Sequence, residues 1–405
     1  MKKIASYALG CKVNQYESEA IAELFAEKGY EVVSVDDEAD VYIINTCTVT
    51  NFGDKKSRQL IRKVKRQNEN AIVAVVGCYA QTAPEELAAV HGVNLVIGTK
   101  DKSKIVELVE DYQAEQGVQN YVTDIMHERV FEPLEIKKLA NRTRAYLKIQ
   151  DGCSQFCSYC IIPYARGPIR SRQPEDVIAE VKRLAENGFK EVVLTGIHVA
   201  SYGKDLKTIT LTDIIRQVHD VEGIERIRFS SIEPNVVTEE FAAAMAELPK
   251  VCDHFHLSLQ SGCDKTLKEM NRKYDTEKYR QAAALLRKYL PDVAITTDII
   301  VGFPGETEED YQASRAFAEE IGFSKIHVFP YSPKKGTPAA ARKDQLQNAV
   351  KQARSHDLIT VSDRMTDAFL QKHVGKVMPV LFERCIGDDV YEGHTTNYMK
   401  VHARS

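Results

Sequence analysis

Cys153, Cys157 and Cys160 stand in the run Asp151-Gly152-Cys153-Ser154-Gln155-Phe156-Cys157-Ser158-Tyr159-Cys160, and three thiolates at that spacing can ligate three irons of a cubane while leaving the fourth open. Metal sites that serve structure usually close with four protein ligands, whereas a three-ligand site keeps a position for something exchangeable. The pattern points to chemistry. Half of a zinc ribbon is the alternative, and it needs a second cysteine pair. The next cysteines, Cys252 and Cys263, lie far downstream at a different spacing.

Three more cysteines occupy equivalent places near the start of the chain. Residues 1 to about 112 alternate β-rich and amphipathic runs: Ile4 to Leu9, Val41 to Asn45, Ile72 to Val76 and Leu95 to Ile97 read as strands, with helices near Tyr16 to Lys28, Asp54 to Gln67 and Pro84 to Val90. That alternation predicts an open parallel sheet covered by helices. Cys11, Cys47 and Cys78 each follow one of the first three strands, and ligands in such sheets collect outside the strand carboxyl ends. Convergence would make a second three-ligand site. Three ordinary buried cysteines are the alternative.

A polar stretch around Asp111 to Leu139 leads to a second series of strands, at Ala145 to Ile149, Glu191 to Leu194, Arg226 to Ser230, Phe255 to Leu259, Ala294 to Val301 and Lys325 to Phe329. Six βα units predict a partial (β/α)6 barrel whose chemistry sits on the loops leaving the strand carboxyl ends. The cysteine triplet falls on the first of these loops. After about His373, Lys376 to Phe382 and Val390 to Val401 read as a short β segment, too small to bury a core alone and so either truncated or docked on the barrel. The fold class expected is therefore α/β, in three parts.

Composition narrows the setting. With 405 residues and 43% hydrophobic content the chain suits two or three soluble domains, and no apolar run approaches the roughly 18 residues of a membrane span. Lys2-Lys3, Ile4 to Leu9 and Cys11 mimic a lipoprotein signal, but the apolar core is short and acidic residues follow at once, so the segment reads as a strand. Nine cysteines suit a reducing cytoplasm. Net charge is −4, yet Lys55, Lys56, Arg58, Arg62, Lys63, Lys65 and Arg66 cluster without an acid between them, while Leu60, Ile61 and Val64 keep one stripe apolar. Such a helix either attracts phosphates or is simply a solvated face.

With both triplets in hand, the chain resembles the methylthiotransferase family of radical S-adenosylmethionine (SAM) enzymes along nearly its whole length. The motifs are Gly10-Cys11-Lys12-Val13-Asn14, Asn45-Thr46-Cys47-Thr48-Val49-Thr50, and Asp151 to Cys160 continued by Ile161-Ile162-Pro163-Tyr164-Ala165-Arg166-Gly167. The resemblance implies a methylthiotransferase domain at 1–112, a linker at 113–139, a radical SAM core at 140–372 and, at 373–405, an incomplete TRAM-like RNA-binding segment. It implies a 4Fe-4S cluster on Cys153, Cys157 and Cys160 that reduces SAM, and an auxiliary 4Fe-4S cluster on Cys11, Cys47 and Cys78 that carries sulfur to carbon 2 of an adenine. The N-terminal motifs resemble the branch acting on threonylcarbamoyladenosine beside the tRNA anticodon; the isopentenyladenosine branch has Gln-Met where Lys12-Val13 stand, and the branch acting on a ribosomal-protein aspartate has Pro-Lys.

The same resemblance assigns SAM contacts to Tyr159, Thr195, Gly196, Glu233, Gln260, Asp298 and the turn beginning at Gly302. Each has a plainer alternative: Gly302 and Gly305 can serve a tight turn, Gln260 and Asp298 can be satisfied polar groups, and Glu233 can pair with Arg228. His198, His254 and His256 read as structural, and Cys252, Cys263 and Cys385 as plain small residues. The implied partners are the tRNA anticodon stem-loop and an electron donor such as flavodoxin or ferredoxin, with no membrane. If the basic helix does not grip tRNA, Arg142, Arg144, Arg166, Arg170 and the C-terminal segment are the next candidates. A non-catalytic iron-sulfur carrier is the competing class, but carriers saturate each cluster with four protein ligands.

Overall fold

The computed structural model describes residues 1–136 and 143–404; Arg142 lies outside them. Strands β1 (Lys3–Ala8), β2 (Glu31–Val32), β3 (Val41–Thr46), β4 (Ile72–Gly77), β5 (Leu95–Val96) and β6 (Gln119–Asn120) form one parallel sheet in the order β2-β1-β3-β4-β5-β6. β3 is buried at every position, as a strand covered on both faces must be. Alternate residues feed two cores: Ala5, Tyr42, Ile44, Val73 and Val75 on one face, Ile4, Val41, Ile43, Ala74 and Val76 on the other. Helix α1 (Lys12–Glu27) covers the second face through Ile21 and Phe25, and α2 (Asn51–Gln67) covers the first through Ile61 and Val64. A short α3 (Cys78–Thr82) follows β4. The order reverses between β1 and β3, where an open parallel sheet leaves a crevice. The stretch expected as a linker contributes β6, and Leu134 and Ile136 are buried in the core of the next unit.

That unit is a partial barrel. Strands β7 (Arg144–Asp151), β8 (Arg170–Ser171), β9 (Glu191–Gly196), β10 (Arg226–Phe229), β11 (His254–His256), β12 (Ala294–Val301) and β13 (Lys325–Pro330) run parallel except β8, which pairs antiparallel with the end of β7. Bridges Ile227 to Val251 and Ile232 to Leu257 join its two halves. The wall stays open between β7 and β13, and the N-terminal domain straddles the opening. On one edge Tyr16 and Ala20 of α1 enter the barrel core. On the other, Asn51 donates to the Pro333 carbonyl at 3.0 Å and Asp54 pairs with buried Lys334.

The last strands, β14 (Val380–Gly387), β15 (Val390–Thr395) and β16 (Lys400–Arg404), form an antiparallel meander. Asp388 and Asp389 turn the first hairpin with φ of 49° and 57°, the left-handed pair a tight hairpin requires. The meander docks on the barrel: Arg226 donates to the His394 and Pro379 carbonyls at 2.8 and 3.0 Å, and Arg228 to Thr396 at 3.0 Å. Tyr398 stacks between His254 and His394, with the Arg228 and Arg144 guanidinium groups over its ring.

Candidate active site

The barrel triplet is shaped by its own loop. Gly152 has φ +72°, and a Cβ there would lie 1.8 Å from the Pro168 carbonyl oxygen, so only glycine fits. The Cys153 amide donates to Gly167 at 3.0 Å and the Cys160 amide to Cys157 at 3.0 Å. Phe156 sits at φ 50°, its carbonyl accepting from Asn271 Nδ2 at 2.8 Å, and the Ser158 amide donates to Met270 at 3.0 Å. Beside the loop Arg272 directs one nitrogen at Cys157 Sγ (3.2 Å), another at Glu233 (2.8 Å) and Nε at the Tyr274 hydroxyl (2.8 Å), while Glu233 also meets His198 at 3.2 Å. Glu233 therefore does not pair with Arg228, which is committed to Glu191 at 3.0 Å.

The N-terminal triplet is assembled from three strand ends. Gly10 at φ +95° lets Cys47 pack against the backbone; a Cβ there would lie 2.6 Å from its sulfur. Cys11 is the residue before α1, its thiol donating to Asn14 Oδ1 at 3.7 Å. Cys78 accepts from Arg166 Nε at 3.2 Å. Arg166 is fully buried and reaches Glu17 at 2.6 Å, Asn14 at 2.7 Å and Asp151 at 3.3 Å. Lys148 bridges Glu17 and Asp151 at 2.8 and 2.6 Å, Lys102 lies 3.4 Å from Glu17, and Arg170 lies 3.6 Å from Asp151. One network thus ties α1, the barrel and the cysteine site together. Burial would raise the Glu17 and Asp151 carboxyls, but the cations around them, Arg166 and Lys148 shared by both, hold each well below the ordinary carboxylate range. Arg166 and Arg170, expected as reserve phosphate contacts, are buried in this network instead.

The barrel triplet Cys153, Cys157 and Cys160 and, from the N-terminal triplet, Cys11 line one cavity of about 1100 Å³, together with Tyr159, Thr195, Gly196, Glu233 and Asp298. That is at the upper end of the roughly 300–1,000 Å³ typical of ligand pockets. Thr195 Oγ1 and Ser230 Oγ are buried in its wall without a hydrogen-bond partner, which marks places for a polar ligand. Gln260 and Gly302 do not line it. The Gln260 backbone, at φ 72°, exchanges bonds with Asp298 and Ile300. The Gly302 amide donates to Glu306 at 2.8 Å, and Glu306 pairs with Arg354 at 2.6 Å, which locks that turn against the helix Asn348–Gln371. Asp298 lies 3.3 Å from His256.

The donor sets fit clusters better than single ions. Among the described residues, the one set of three ligating side chains with donor atoms within 4.8 Å of one another is His256, Asp298 and His327. A single tetrahedral zinc needs sulfurs about 3.8 Å apart, given Zn–S bonds of about 2.3 Å; the cysteine triplets are wider. Desolvation raises the Cys11 thiol and pushes Cys47 and Cys160 up to about 12 and Cys153 to about 11. Three such thiols in one place become thiolates only when a strongly cationic centre replaces their protons.

A partial barrel with a three-cysteine loop beside β7 and a roomy polar cavity over the strand carboxyl ends defines a radical SAM fold. A model described as the Radical SAM superfamily matches residues 147–318, and one described as Uncharacterized protein family UPF0004 matches residues 3–98. TsrM from Kitasatospora setae, a radical S-adenosylmethionine methyltransferase solved with tryptophan and aza-SAM, shares that fold with a TM-score of 0.61 at 16% identity, over 84% of this chain and 75% of that one. The threonylcarbamoyladenosine tRNA methylthiotransferase MtaB of Bacillus subtilis is 46% identical over 99% of this chain and 90% of its own length. Its Aquifex aeolicus namesake is 41% identical over 94% and 92%. A tRNA-2-methylthio-N(6)-dimethylallyladenosine synthase of Thermoanaerobacter is 39% identical over 92% and 80%. The chain belongs to the radical SAM methylthiotransferase family, whose cofactors are SAM and two 4Fe-4S clusters.

Sequence reasoning missed Arg272 and Glu17. Neither carries a periodic signal; each acquires its role only when a distant element brings a cysteine or a cation to it.

Proposed function

We propose that this chain adds a methylthio group to threonylcarbamoyladenosine in the anticodon stem-loop of tRNA. The observation that carries the reading is the cavity lined by the barrel triplet and by Cys11 of the N-terminal triplet, in a chain most of whose length matches MtaB proteins. Cys153, Cys157 and Cys160 would hold the SAM-reducing cluster, and Cys11, Cys47 and Cys78 the auxiliary one. When bound, these groups supply one-electron chemistry and the transferred sulfur, which acid-base side chains cannot do at an adenine carbon.

The chain's own residues position and enclose. Thr195, with its unpartnered hydroxyl, Gly196, Tyr159 and Glu233 would seat SAM, with Asp298 further along the wall. Arg272 fixes the Glu233 carboxylate and a cysteine sulfur together, so the two cannot drift apart. Gln260 and Gly302 act, on this reading, by shaping the strand ends behind the pocket. For tRNA, Lys55, Lys56, Arg62 and Arg66 of α2 are exposed and, among the described residues, paired with no carboxylate, beside exposed Val49 and Phe52. Lys63, by contrast, is engaged with Asp36 and Arg58 with Glu86. Electrons would come from a flavodoxin or ferredoxin in the cytoplasm; among the described residues no helix is long and apolar enough to cross a membrane.

Mass spectrometry of tRNA nucleosides from cells with and without the gene tests the reading. Loss of the methylthiolated threonylcarbamoyl nucleoside alone supports it; loss of the methylthiolated isopentenyl nucleoside instead overturns it.

A further inference from the structure

Lys12 lines the cavity with no anionic partner among the described residues. It follows the ligand Cys11, lines the same 1100 Å³ space and stands 5.9 Å over the Tyr146 ring. Among the described residues, no carboxylate or carbonyl lies within ion-pair or hydrogen-bond reach of its ammonium. The neighbouring guanidinium groups of Arg144 and Arg228 are both committed to Glu191, at 2.6 and 3.0 Å. Its place is also costly for the fold. Lys12 is the first residue of a 16-residue helix whose first turn holds no acid, so its charge opposes the helix dipole and stability alone would favour an aspartate or glutamate there. The cavity wall on this side carries His254, His256, Lys325, His327 and Asp298; burial lowers His254 and His327 toward the neutral imidazole, and Lys325 is paired with Asp363 at 2.8 Å. An ammonium that lines a ligand-sized cavity without a counter-ion is suited to a carboxylate arriving with a ligand.

Resting on the function proposed above, we infer that Lys12 reads the free carboxylate of the threonylcarbamoyl group and so selects that nucleoside over uncharged N6 substituents. SAM also has a carboxylate, and the test separates the two sources. Reconstituted holoenzyme would be given anticodon stem-loop RNA carrying threonylcarbamoyladenosine or its methyl ester. The wild type should favour the acid by about ten- to hundredfold in kcat/KM, the range of one charged hydrogen bond. Lys12→Met should bring acid and ester to near parity, raising the KM for the acid, while the KM for SAM and the iron content stay at wild-type values. Lys12→Arg should restore the preference. A preference that survives in Lys12→Met overturns the inference, as does a rise confined to the KM for SAM, or loss of iron, which would make Lys12 a counter-ion of the cluster. A wild type that turns over only isopentenyladenosine RNA defeats the functional reading itself; one that turns over both acid and ester equally defeats the inference alone.

Discussion

The barrel triplet and Cys11 of the N-terminal triplet line one cavity, but the two cysteine sites are built in opposite ways. The barrel site is local: its cysteines fall within Cys153 to Cys160, and Gly152 and Phe156 supply the left-handed backbone that brings them round. The N-terminal site draws one cysteine from each of three strand ends and depends on Arg166, from the barrel, for a hydrogen bond to Cys78. A local site can assemble wherever its loop folds. A distributed site exists only when the sheet, α1 and the barrel are all in register, which couples the auxiliary cluster to the docking of the two domains.

The difference can be broken first at its glycines. Gly152→Ala would place a methyl 1.8 Å from a carbonyl oxygen at a φ that L-residues avoid, so SAM cleavage should disappear, with iron falling by about four per chain, one cluster's worth. Gly10→Ala strikes Cys47 at 2.6 Å and should abolish methylthiolation while sparing SAM cleavage. Iron analysis and a 5′-deoxyadenosine assay decide both.

Next comes the network between the domains. Glu17→Gln leaves Arg166, Lys148 and Lys102 short of a buried partner and should cost about 3–5 kcal/mol in denaturant unfolding. Glu17 has a lowered folded pKa. The stability it provides is therefore fully present above its unfolded value of about 4.3 and is lost as pH falls through the lower folded value. Wild-type stability should fall with acid below about pH 4.3, and in Glu17→Gln that part of the pH dependence should vanish. An unchanged acid profile would show that the network does not link the domains.

Arg272→Lys keeps the charge but loses the fork that joins Cys157 to Glu233. The KM for SAM should rise about tenfold, the low end for a charged hydrogen bond, with methylthiolation affected only through SAM. The smallest effect is expected at the surface. Replacing Lys55, Lys56, Arg62 and Arg66 by Ala should flatten the slope of log tRNA affinity against log salt by roughly 0.7–0.9 for each phosphate that is no longer neutralised. Cluster content should not change, because Ile61 and Val64 keep α2 packed. An unaltered slope would make α2 a solvated face.

The same contrast explains what is legible in the sequence. Strands β3, β4, β7, β9 and β12 are readable because each is a mostly buried run of six to eight residues rich in apolar side chains, and β1 and β13 because their six residues include β-formers although only partly buried. The two-residue strands β2, β6 and β8 are defined only by their neighbours and carry no periodic signal of their own. All six candidate cysteines stand out in the sequence, the barrel set by its spacing and the N-terminal set by its equivalent positions after strands. Arg166 looks like a free cation in the sequence because nothing local reveals that Glu17 and Asp151 will surround it. Gly302 looks like a pocket wall because a turn glycine reads the same whether it faces a ligand or, as here, the side chain of Lys351.

The central claim is that the two triplets hold separate clusters with separate tasks. The direct test is anaerobic reconstitution of the Cys11→Ala, Cys47→Ala, Cys78→Ala protein, measuring iron, 5′-deoxyadenosine and methylthiolated RNA together. The expected outcome is about half of the roughly eight irons of the wild type, from four per cluster, with SAM cleavage retained and no methylthiolated product. Methylthiolated product from that protein, or loss of SAM cleavage along with it, would contradict the division.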